Sequence, residues 1–200
     1  MKVILLFIML FVVSTQSYSQ EQTSEVTPEQ KDQNFAKRWW NASKNKVSLI
    51  YNEGSNDIYV TMYAYHDRFT YTPEKVSELN EGAYGLGFGR SRDNEKGNTE
   101  MLFAMTHLDS HSDVQVNAGY AWLKKFKLSK NFRVGIGYAA GLVSRSDFYG
   151  RIPIPFALPL GAIDFKRFSL NAILIPKLND GINNGNVLFI FGKFSWERNK

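Results

Sequence analysis

Strict alternation of large apolar residues with glycine and other small residues is the feature of this sequence that most constrains its fold. In segment 84–89, Tyr84, Leu86 and Phe88 alternate with three glycines, and similar patterns recur over 114–122 and 132–142. Successive side chains of a β-strand point to opposite faces, so each segment has one large apolar face and one small face. A soluble barrel turns the large apolar face inward, whereas a transmembrane barrel turns it toward lipid.

Eight aromatic-rich strands are predicted in the last three quarters of the chain. Their predicted bounds are 57–70, 82–92, 98–109, 114–126, 131–144, 151–163, 166–176 and 186–196. Turn residues such as Asn183-Asn184-Gly185-Asn186 separate them. Strands of about ten residues suit a small tilted membrane barrel. We therefore predict an all-β fold: an eight-stranded antiparallel transmembrane β-barrel over 51–200, with small residues lining an open lumen.

The first fifty residues carry targeting and interfacial signals. Lys2 precedes an apolar run at 3–13, and Ser17 and Ser19 are small residues at the two positions that determine cleavage, so residues 1–19 indicate a signal peptide cleaved after Ser19. Residues 20–50 are predicted to hold a polar start and an N-terminal amphipathic helix from Thr27 to about Ser43. The helix contains two tryptophans, which favours a position in a membrane interface. The alternative is a helix packed on a soluble core.

Composition and charge argue against several classes of function. The chain has no cysteine, so disulfide frameworks and thiolate metal sites are excluded. Its net charge of +5 forms no basic stripe, so no nucleic-acid partner is expected. Nothing in the sequence fixes a ligand geometry for His107 and His111 with Asp109 or Asp113. We predict neither a metal nor a cofactor.

The proline positions predict a slot in the barrel wall. Pro153, Pro155 and Pro159 lie in the sixth predicted strand, and Pro176 ends the seventh. Proline cannot donate to a strand ladder, so it marks places where neighbouring strands are not fully hydrogen-bonded. For Pro176 alone, an ordinary strand end is the alternative.

One histidine, one aspartate and one serine at predicted strand ends are candidates for a reactive site. His66 lies in the first predicted strand, and Asp109 and Ser110 lie at the end of the third. A base, a carboxylate and a hydroxyl are the parts that activate an oxygen nucleophile. Spacing alone does not separate this interpretation from solvated loop residues.

A series of short motifs occurs in unbroken order between residues 58 and 196. They are His66-Asp67-Arg68-Phe69, Gly85-Leu86-Gly87-Phe88-Gly89-Arg90-Ser91-Arg92, Asn94-Glu95-Lys96-Gly97-Asn98, Ala104-Met105, Asp109-Ser110, Ala118-Gly119-Tyr120, Ile152-Pro153-Ile154-Pro155, Leu158-Pro159-Leu160, Ile175-Pro176 and Asn183-Asn184-Gly185-Asn186-Val187. In this order they resemble the PagP family, the lipid A palmitoyltransferases of the Gram-negative outer membrane.

The resemblance implies an outer-membrane enzyme that acts without a cofactor, as a monomer. It implies transfer of a palmitoyl chain from the sn-1 position of a glycerophospholipid donor to a hydroxyacyl chain of a lipid A acceptor. The family's functional histidine, aspartate and serine match His66, Asp109 and Ser110, facing the extracellular leaflet. The lysine linked to lipid A recognition matches Lys75, and we expect Arg92 to lie near it. Direct transfer and a serine acyl-enzyme both stay open.

Several positions depart from the family pattern. Pro159 and Pro176 match the prolines of the lateral gate for phospholipid, but Ile182 replaces the tyrosine linked to gating. Thr61 and Ala83 stand where prolines mark a second wall opening. Ala121 replaces the usual glycine at the floor, the closed end of the acyl pocket.

Three alternatives to an active lipid A acyltransferase are a silent barrel of the same family, a soluble lipocalin-like lipid carrier and a porin. A silent barrel is disfavoured by the presence of His66, Asp109 and Ser110. A soluble lipid carrier is disfavoured by the large apolar residues that are predicted to face outward. Eight strands leave no wide channel, which argues against the third.

Overall fold

The computed structural model of the chain describes residues 28–146, 149–178 and 184–197. The predicted signal peptide and Ile182 lie outside these ranges. The chain divides into two compact units, residues 1–46 and 47–200. No helix in the described ranges is long and apolar enough to cross a membrane.

The N-terminal helix, α1, spans Pro28–Glu53, so the prediction of its end near Ser43 was wrong by ten residues. The end is marked instead by Gly54, whose N–H donates to the Ile50 carbonyl at 2.9 Å. A Cβ at Gly54 would come within 2.3 Å of that carbonyl oxygen, so only glycine fits there without a shift. The polar residues around Ser43 continue the helix because none of them prevents helical hydrogen bonding.

The described strands close into an antiparallel barrel in sequence order, as the alternation predicts. They are β1 (Ser55–His66), β2 (Gly85–Asp93), β3 (Thr99–Leu108), β4 (Val114–Lys127), β5 (Phe132–Ser144), β6 (Ile154–Phe165), β7 (Phe168–Ile175) and β8 (Val187–Trp196). Helix α2 (Pro73–Ser77) and a short 3₁₀ segment (Tyr149–Arg151) lie in the connections. The described residues of the connections 67–84, 109–113, 145–153 and 176–186 share one end of the barrel, here called the loop end. The turns 94–98, 128–131 and 166–167 share the other, the turn end.

The large apolar residues face outward, as predicted for a membrane barrel. Leu86, Phe88, Ile136 and Leu142 are each more than half exposed. On the same strands, the small residues Gly87 and Ala139 are buried inside the barrel. An exposed apolar surface running around a closed barrel is the surface that lipid covers.

The lumen is less open than the small residues suggest. A Cβ at Gly87 would come within 2.3 Å of the Met105 side chain, and one at Gly89 within 2.8 Å of the Tyr59 ring. Space that glycine leaves on one strand is therefore occupied by a larger side chain from the next strand. The prediction of a lumen lined by small residues was wrong in this respect, because it considered each strand without its neighbours.

Charged side chains fill the lumen at the turn end. Lys125 Nζ lies 2.9 Å from Asp164 Oδ1, and Arg133 reaches the other Asp164 oxygen at 3.1 Å. Lys193 donates to Ser91 at 2.9 Å, and its Nζ lies 3.7 Å from an Asp57 oxygen. An alkyl chain packed against these paired charges would remove water from them, which is unfavourable. The network therefore closes the turn end of the lumen to an apolar ligand.

Candidate functional site

A bulge in β1 turns His66 into the barrel. From Asp57 to Thr61 the odd-numbered residues of β1 are buried, whereas beyond the bulge the buried positions are Ala64 and His66. The register with β8 shifts between Thr61 and Tyr63, where one extra residue is accommodated. Without that shift, His66 would share the outward face with Val60. With it, the imidazole is only 1 % exposed at the loop end of the lumen.

His66 lies between a hydroxyl and a carboxylate. Its Nε2 is 3.0 Å from Ser110 Oγ, and its Nδ1 is 3.3 Å from Glu81 Oε1. An ionised carboxylate accepts hydrogen bonds only, so Glu81 selects the tautomer with the proton on Nδ1. The lone pair of Nε2 then faces Ser110, in the position of a general base.

Glu81 is held in place by several donors. The backbone N–H of His66 donates to Glu81 Oε1 at 2.9 Å, and the Tyr63 hydroxyl donates to Oε2. Arg68 donates to both oxygens, at 2.6 and 2.9 Å. These hydrogen bonds from Arg68 hold the pKa of Glu81 well below its usual range. Glu81 is therefore a fixed, ionised partner for the imidazole.

The loops that carry these groups are tied together. The Asn80 N–H donates to the Ser110 carbonyl at 2.8 Å, and the Ala64 N–H donates to the Glu81 carbonyl at 2.9 Å. The Tyr71 ring packs edge-on against the His66 ring, with centroids 5.1 Å apart. The site is thus assembled from β1, the 67–84 connection and the 109–113 connection.

Asp109 organises its own loop in this structure. Its Oδ1 accepts from the backbone N–H groups of His111 at 2.8 Å and Asp113 at 2.9 Å. Its Oδ2 is buried without a hydrogen-bond partner in the described residues. The chain as described has no hydrogen bond between Asp109 and His66. Sequence reasoning brought His66 and Ser110 together but assigned the orienting carboxylate to Asp109, whereas Glu81 occupies that place.

Glu81 was missed because Asn80-Glu81-Gly82 has the composition of a turn. The local structure is indeed a turn, since Asn80 Oδ1 accepts from the Gly82 N–H at 2.9 Å. The fifteen-residue spacing between His66 and Glu81 does not predict a contact, because the 67–84 connection has to fold back to bring the two side chains together. The one available clue is that Glu81 lies beside Ala83, one of the positions that departs from the family pattern.

Lys75 and Arg92 lie at different ends of the barrel. Lys75 is on the loop-end helix α2, where its Nζ is 2.9 Å from Glu78 in an exposed pair. Arg92 is near the turn end of β2, where it pairs with Glu53 at 2.8 Å and Glu100 at 3.5 Å. The expectation that they lie together was wrong, because β2 carries the chain about 3.3 Å per residue away from the loop end.

Two of the strand ladders stop before their strands end. The β6–β7 ladder stops at Leu160 and Ile173, directly beside Pro159, while β6 continues to Ile154. The β1–β2 ladder stops at Thr61 and Gly85, although β1 runs on to His66. The second gap therefore forms without prolines, and Glu81 binds the backbone groups that β2 does not reach.

Ala121 lies inside the barrel as predicted. Its side chain is 1 % exposed, between Met101 of β3 and Ala139 of β5. Leu123, the next inward residue toward the turn end, is equally buried. Within the ranges that the structure describes, no three His, Asp or Glu residues cluster as metal ligands.

Comparison with known proteins agrees with this architecture. The family described as "Antimicrobial peptide resistance and lipid A acylation protein PagP" matches residues 46–193. A Bordetella pertussis protein named "Lipid A acyltransferase PagP" is 43% identical over 159 residues, which cover 80% of this chain and 85% of that protein. A Legionella pneumophila protein of the same name is 40% identical over 166 residues, covering 81% and 87%. With most of its length matched and a closed eight-stranded barrel as its fold, the chain belongs to the PagP family of outer-membrane barrels.

Proposed function

We propose that this chain is a lipid A acyltransferase that moves a palmitoyl chain, or one of similar length, from the sn-1 position of a glycerophospholipid to a hydroxyacyl chain of lipid A. The observation that carries this proposal is the contact of His66 with Ser110 on one side and Glu81 on the other. Long connections mark the extracellular end of outer-membrane barrels, and this site lies at that end. Its relatives are named for acyl transfer to lipid A.

The chemistry follows from the tautomer of His66. Nε2 takes the proton of the acceptor hydroxyl while the hydroxyl oxygen attacks the ester carbonyl of the donor. The acyl bond to the glycerol oxygen breaks, and that oxygen receives the proton from Nε2. Glu81 stabilises the imidazolium that exists between the two proton transfers. A lysophospholipid and an acylated lipid A result.

Ser110 admits two routes. In direct transfer, the acceptor hydroxyl replaces Ser110 as the hydrogen-bond partner of Nε2. In a two-step route, Ser110 Oγ attacks first and an ester on the serine is then transferred to lipid A. Detection of an acylated Ser110 peptide from a reaction stopped in its first turnover supports the second route, and its absence supports direct transfer.

The phospholipid donor and the lipid A acceptor reach the site at different parts of the barrel. Phospholipid enters where the β6–β7 ladder ends beside Pro159, with Pro176 and Ile182 in the adjoining connection. Lys75, with its side chain 44% exposed on α2, is assigned to the phosphates of lipid A.

The test of the function is mass spectrometry of lipid A from cells with and without the gene. We expect lipid A from expressing cells to gain the mass of one acyl chain. An unchanged lipid A profile, with the protein folded in the outer membrane, would contradict the proposal.

The proposed location is the outer membrane, reached as a monomer after cleavage of the signal peptide following Ser19. We expect the mature protein to sediment with outer membranes and to migrate faster on gels when it is not heated, because the closed barrel resists detergent. Recovery of the protein from the periplasmic fraction would contradict this. Sequencing of the mature N-terminus checks whether it begins at Gln20.

The residue at position 121 is expected to set the length of the transferred chain. Replacing Ala121 with glycine removes one methyl group from the buried end of the pocket, and one methylene is worth about 0.8 kcal/mol. We expect Ala121→Gly to shift the preferred chain upward by about one carbon. Competition among donors whose chains differ by single carbons measures this.

Ala118→Gly is the matched control, since Ala118 lies on the same strand but faces outward and is exposed. Its length profile is expected to equal that of the wild type. If Ala121→Gly also leaves the profile unchanged, the end of the pocket lies elsewhere.

A further inference from the structure

A charged cavity lies at the turn end of the barrel, the opposite end from His66. Its volume is about 250 Å³, and Asp164 and Lys193 belong to its inner wall. Their ion-pair partners, Lys125 and Asp57, are buried behind them with side chains 3% and 0% exposed. The charges of the inner wall are therefore balanced, and they separate the cavity from the groups assigned to the reaction.

The mouth of the cavity carries cations that the protein does not neutralise. Lys166 and Arg167 form the two-residue turn between β6 and β7, line the cavity and are exposed. The Lys166 ammonium faces the Phe165 ring, 5.4 Å from its centroid. Within the described residues Arg167 has no hydrogen-bond or ion-pair partner for its side chain, and Glu197, an exposed carboxylate of the lining, pairs with neither cation. Both cationic groups are thus available to an anion.

The backbone at Lys166 favours a residue other than lysine. Its φ of 55° is in the left-handed region, where hairpin turns usually place glycine or asparagine. The turn is held on both sides, because the Lys166 N–H donates to the Asn131 carbonyl and the Ser195 N–H donates to the Arg167 carbonyl, each at 3.0 Å. Strain of this kind is characteristic of functional positions, which indicates that the lysine side chain has a use at this turn.

The mouth borders the wall of the barrel that faces lipid. Phe168 lines the cavity and is 62% exposed, and Phe165, its partner in the β6–β7 ladder, is 53% exposed. Phe168 also packs on Phe194, with ring centroids 4.8 Å apart. An anionic head group at the mouth places its own acyl chains against these rings. A soluble anion leaves the rings without a partner, so the arrangement favours an amphiphile.

We propose that the mouth of this cavity binds the phosphate of an anionic phospholipid in the periplasmic leaflet, which the short turns of an outer-membrane barrel face. Lys166 and Arg167 donate to the phosphate oxygens, and the acyl chains lie on Phe165 and Phe168. Basic residues at a membrane surface attract anionic head groups in this way. This lipid is neither the donor nor the acceptor of the proposed transfer, so the inference does not depend on that activity.

The test measures lipid binding by the full-length protein in detergent. It is titrated with phosphatidylglycerol and with phosphatidylcholine of the same acyl chains, and native mass spectrometry counts the bound lipids. We expect the wild type to bind phosphatidylglycerol at least about tenfold more tightly, since each basic group contributes roughly fivefold. Lys166→Gln with Arg167→Gln removes both charges and is expected to bring the two affinities together. Equal affinities in the wild type, or an unchanged preference in the double variant, would overturn the proposal.

Lys127→Gln with Lys130→Gln is the matched control. It removes two charges from exposed residues at the same end of the barrel, next to the β4–β5 turn and outside the cavity lining. Its preference for phosphatidylglycerol is expected to equal that of the wild type, and heat-dependent gel mobility reports whether each variant forms the barrel. An equal loss of preference in both double variants would mean that general surface charge attracts the lipid, and the site would be rejected.

Competition and activity identify the source of the phosphate. Inorganic phosphate is expected to displace phosphatidylglycerol no better than chloride at equal ionic strength. Stronger displacement by phosphate would mean that the cavity binds a free oxyanion, which overturns the assignment to a lipid. Acyl transfer by the Lys166→Gln, Arg167→Gln protein is expected to match the wild type. Loss of transfer together with the lipid preference would make the bound lipid the donor and overturn the inference.

Discussion

Replacing His66 with asparagine is expected to reduce acyl transfer to lipid A by about a hundredfold or more, while the barrel stays folded. The imidazole is the base whose Nε2 lies 3.0 Å from Ser110 Oγ, and an asparagine amide at that position cannot take up a proton. Residual transfer is expected, because donor and acceptor are still held together. The measurement is the initial rate of transfer by purified protein in detergent.

His111→Asn is the control for this variant. His111 lies in the 109–113 connection with an exposed side chain, so its loss should leave the rate close to that of the wild type. Heat-dependent gel mobility reports whether both variants form the barrel. Wild-type activity in a folded His66→Asn protein would remove His66 from the mechanism, and an equal loss in His111→Asn would mean that the assay does not report this site.

Replacing Glu81 with glutamine is expected to lower kcat by about a hundredfold with little change in KM. The glutamine amide can donate to Nδ1 of His66, which moves the imidazole proton to Nε2, where the base has to be unprotonated. Glu81→Asp keeps the charge at a shorter reach and should recover part of the activity. Glu78→Gln is the control, because Glu78 lies in the same connection with its side chain 64% exposed.

The pH profile separates positioning of His66 from a purely structural role of Glu81. The Arg68 hydrogen bonds lower the pKa of Glu81, so its contribution to stability is complete above the ordinary glutamate pKa and is lost only as the pH falls toward the lowered value. Wild-type Glu81 is therefore ionised wherever histidine titrates. In Glu81→Gln the imidazolium loses this carboxylate, so the acidic limb of kcat/KM should move to lower pH. A uniform loss at every pH would indicate damage to the loop instead.

Strand number and the outward face were predictable from the sequence because both depend on local alternation. Leu86 and Phe88 face outward for the same reason that the intervening glycines face inward: side chains alternate along a strand. The end of α1 was missed because the polar stretch around Ser43 resembles a helix end, whereas Gly54 is the residue that the backbone requires there.

The residues around the site were only partly predictable. Ser110 and His66 could be paired through the resemblance to a family, since each lies in a short motif of fixed order. Glu81 could not, because it reaches His66 across a connection and is held by Arg68 and Tyr63, which no spacing rule relates to it.

The sequence by itself determined that this chain forms strands with one large apolar face and one small face, because its apolar and small residues alternate with the period of a strand. It did not determine which face His66 occupies. Simple alternation from Asp57, Tyr59 and Thr61 would direct an even-numbered residue outward to lipid, and the bulge before Tyr63 reverses this. A bulge accommodates one extra residue where the pairing of two neighbouring strands shifts by one position. That pairing is set by the closure of the whole barrel and not by the sequence of β1 alone. Only the tertiary structure therefore turned His66 into the lumen, within reach of Glu81 and Ser110.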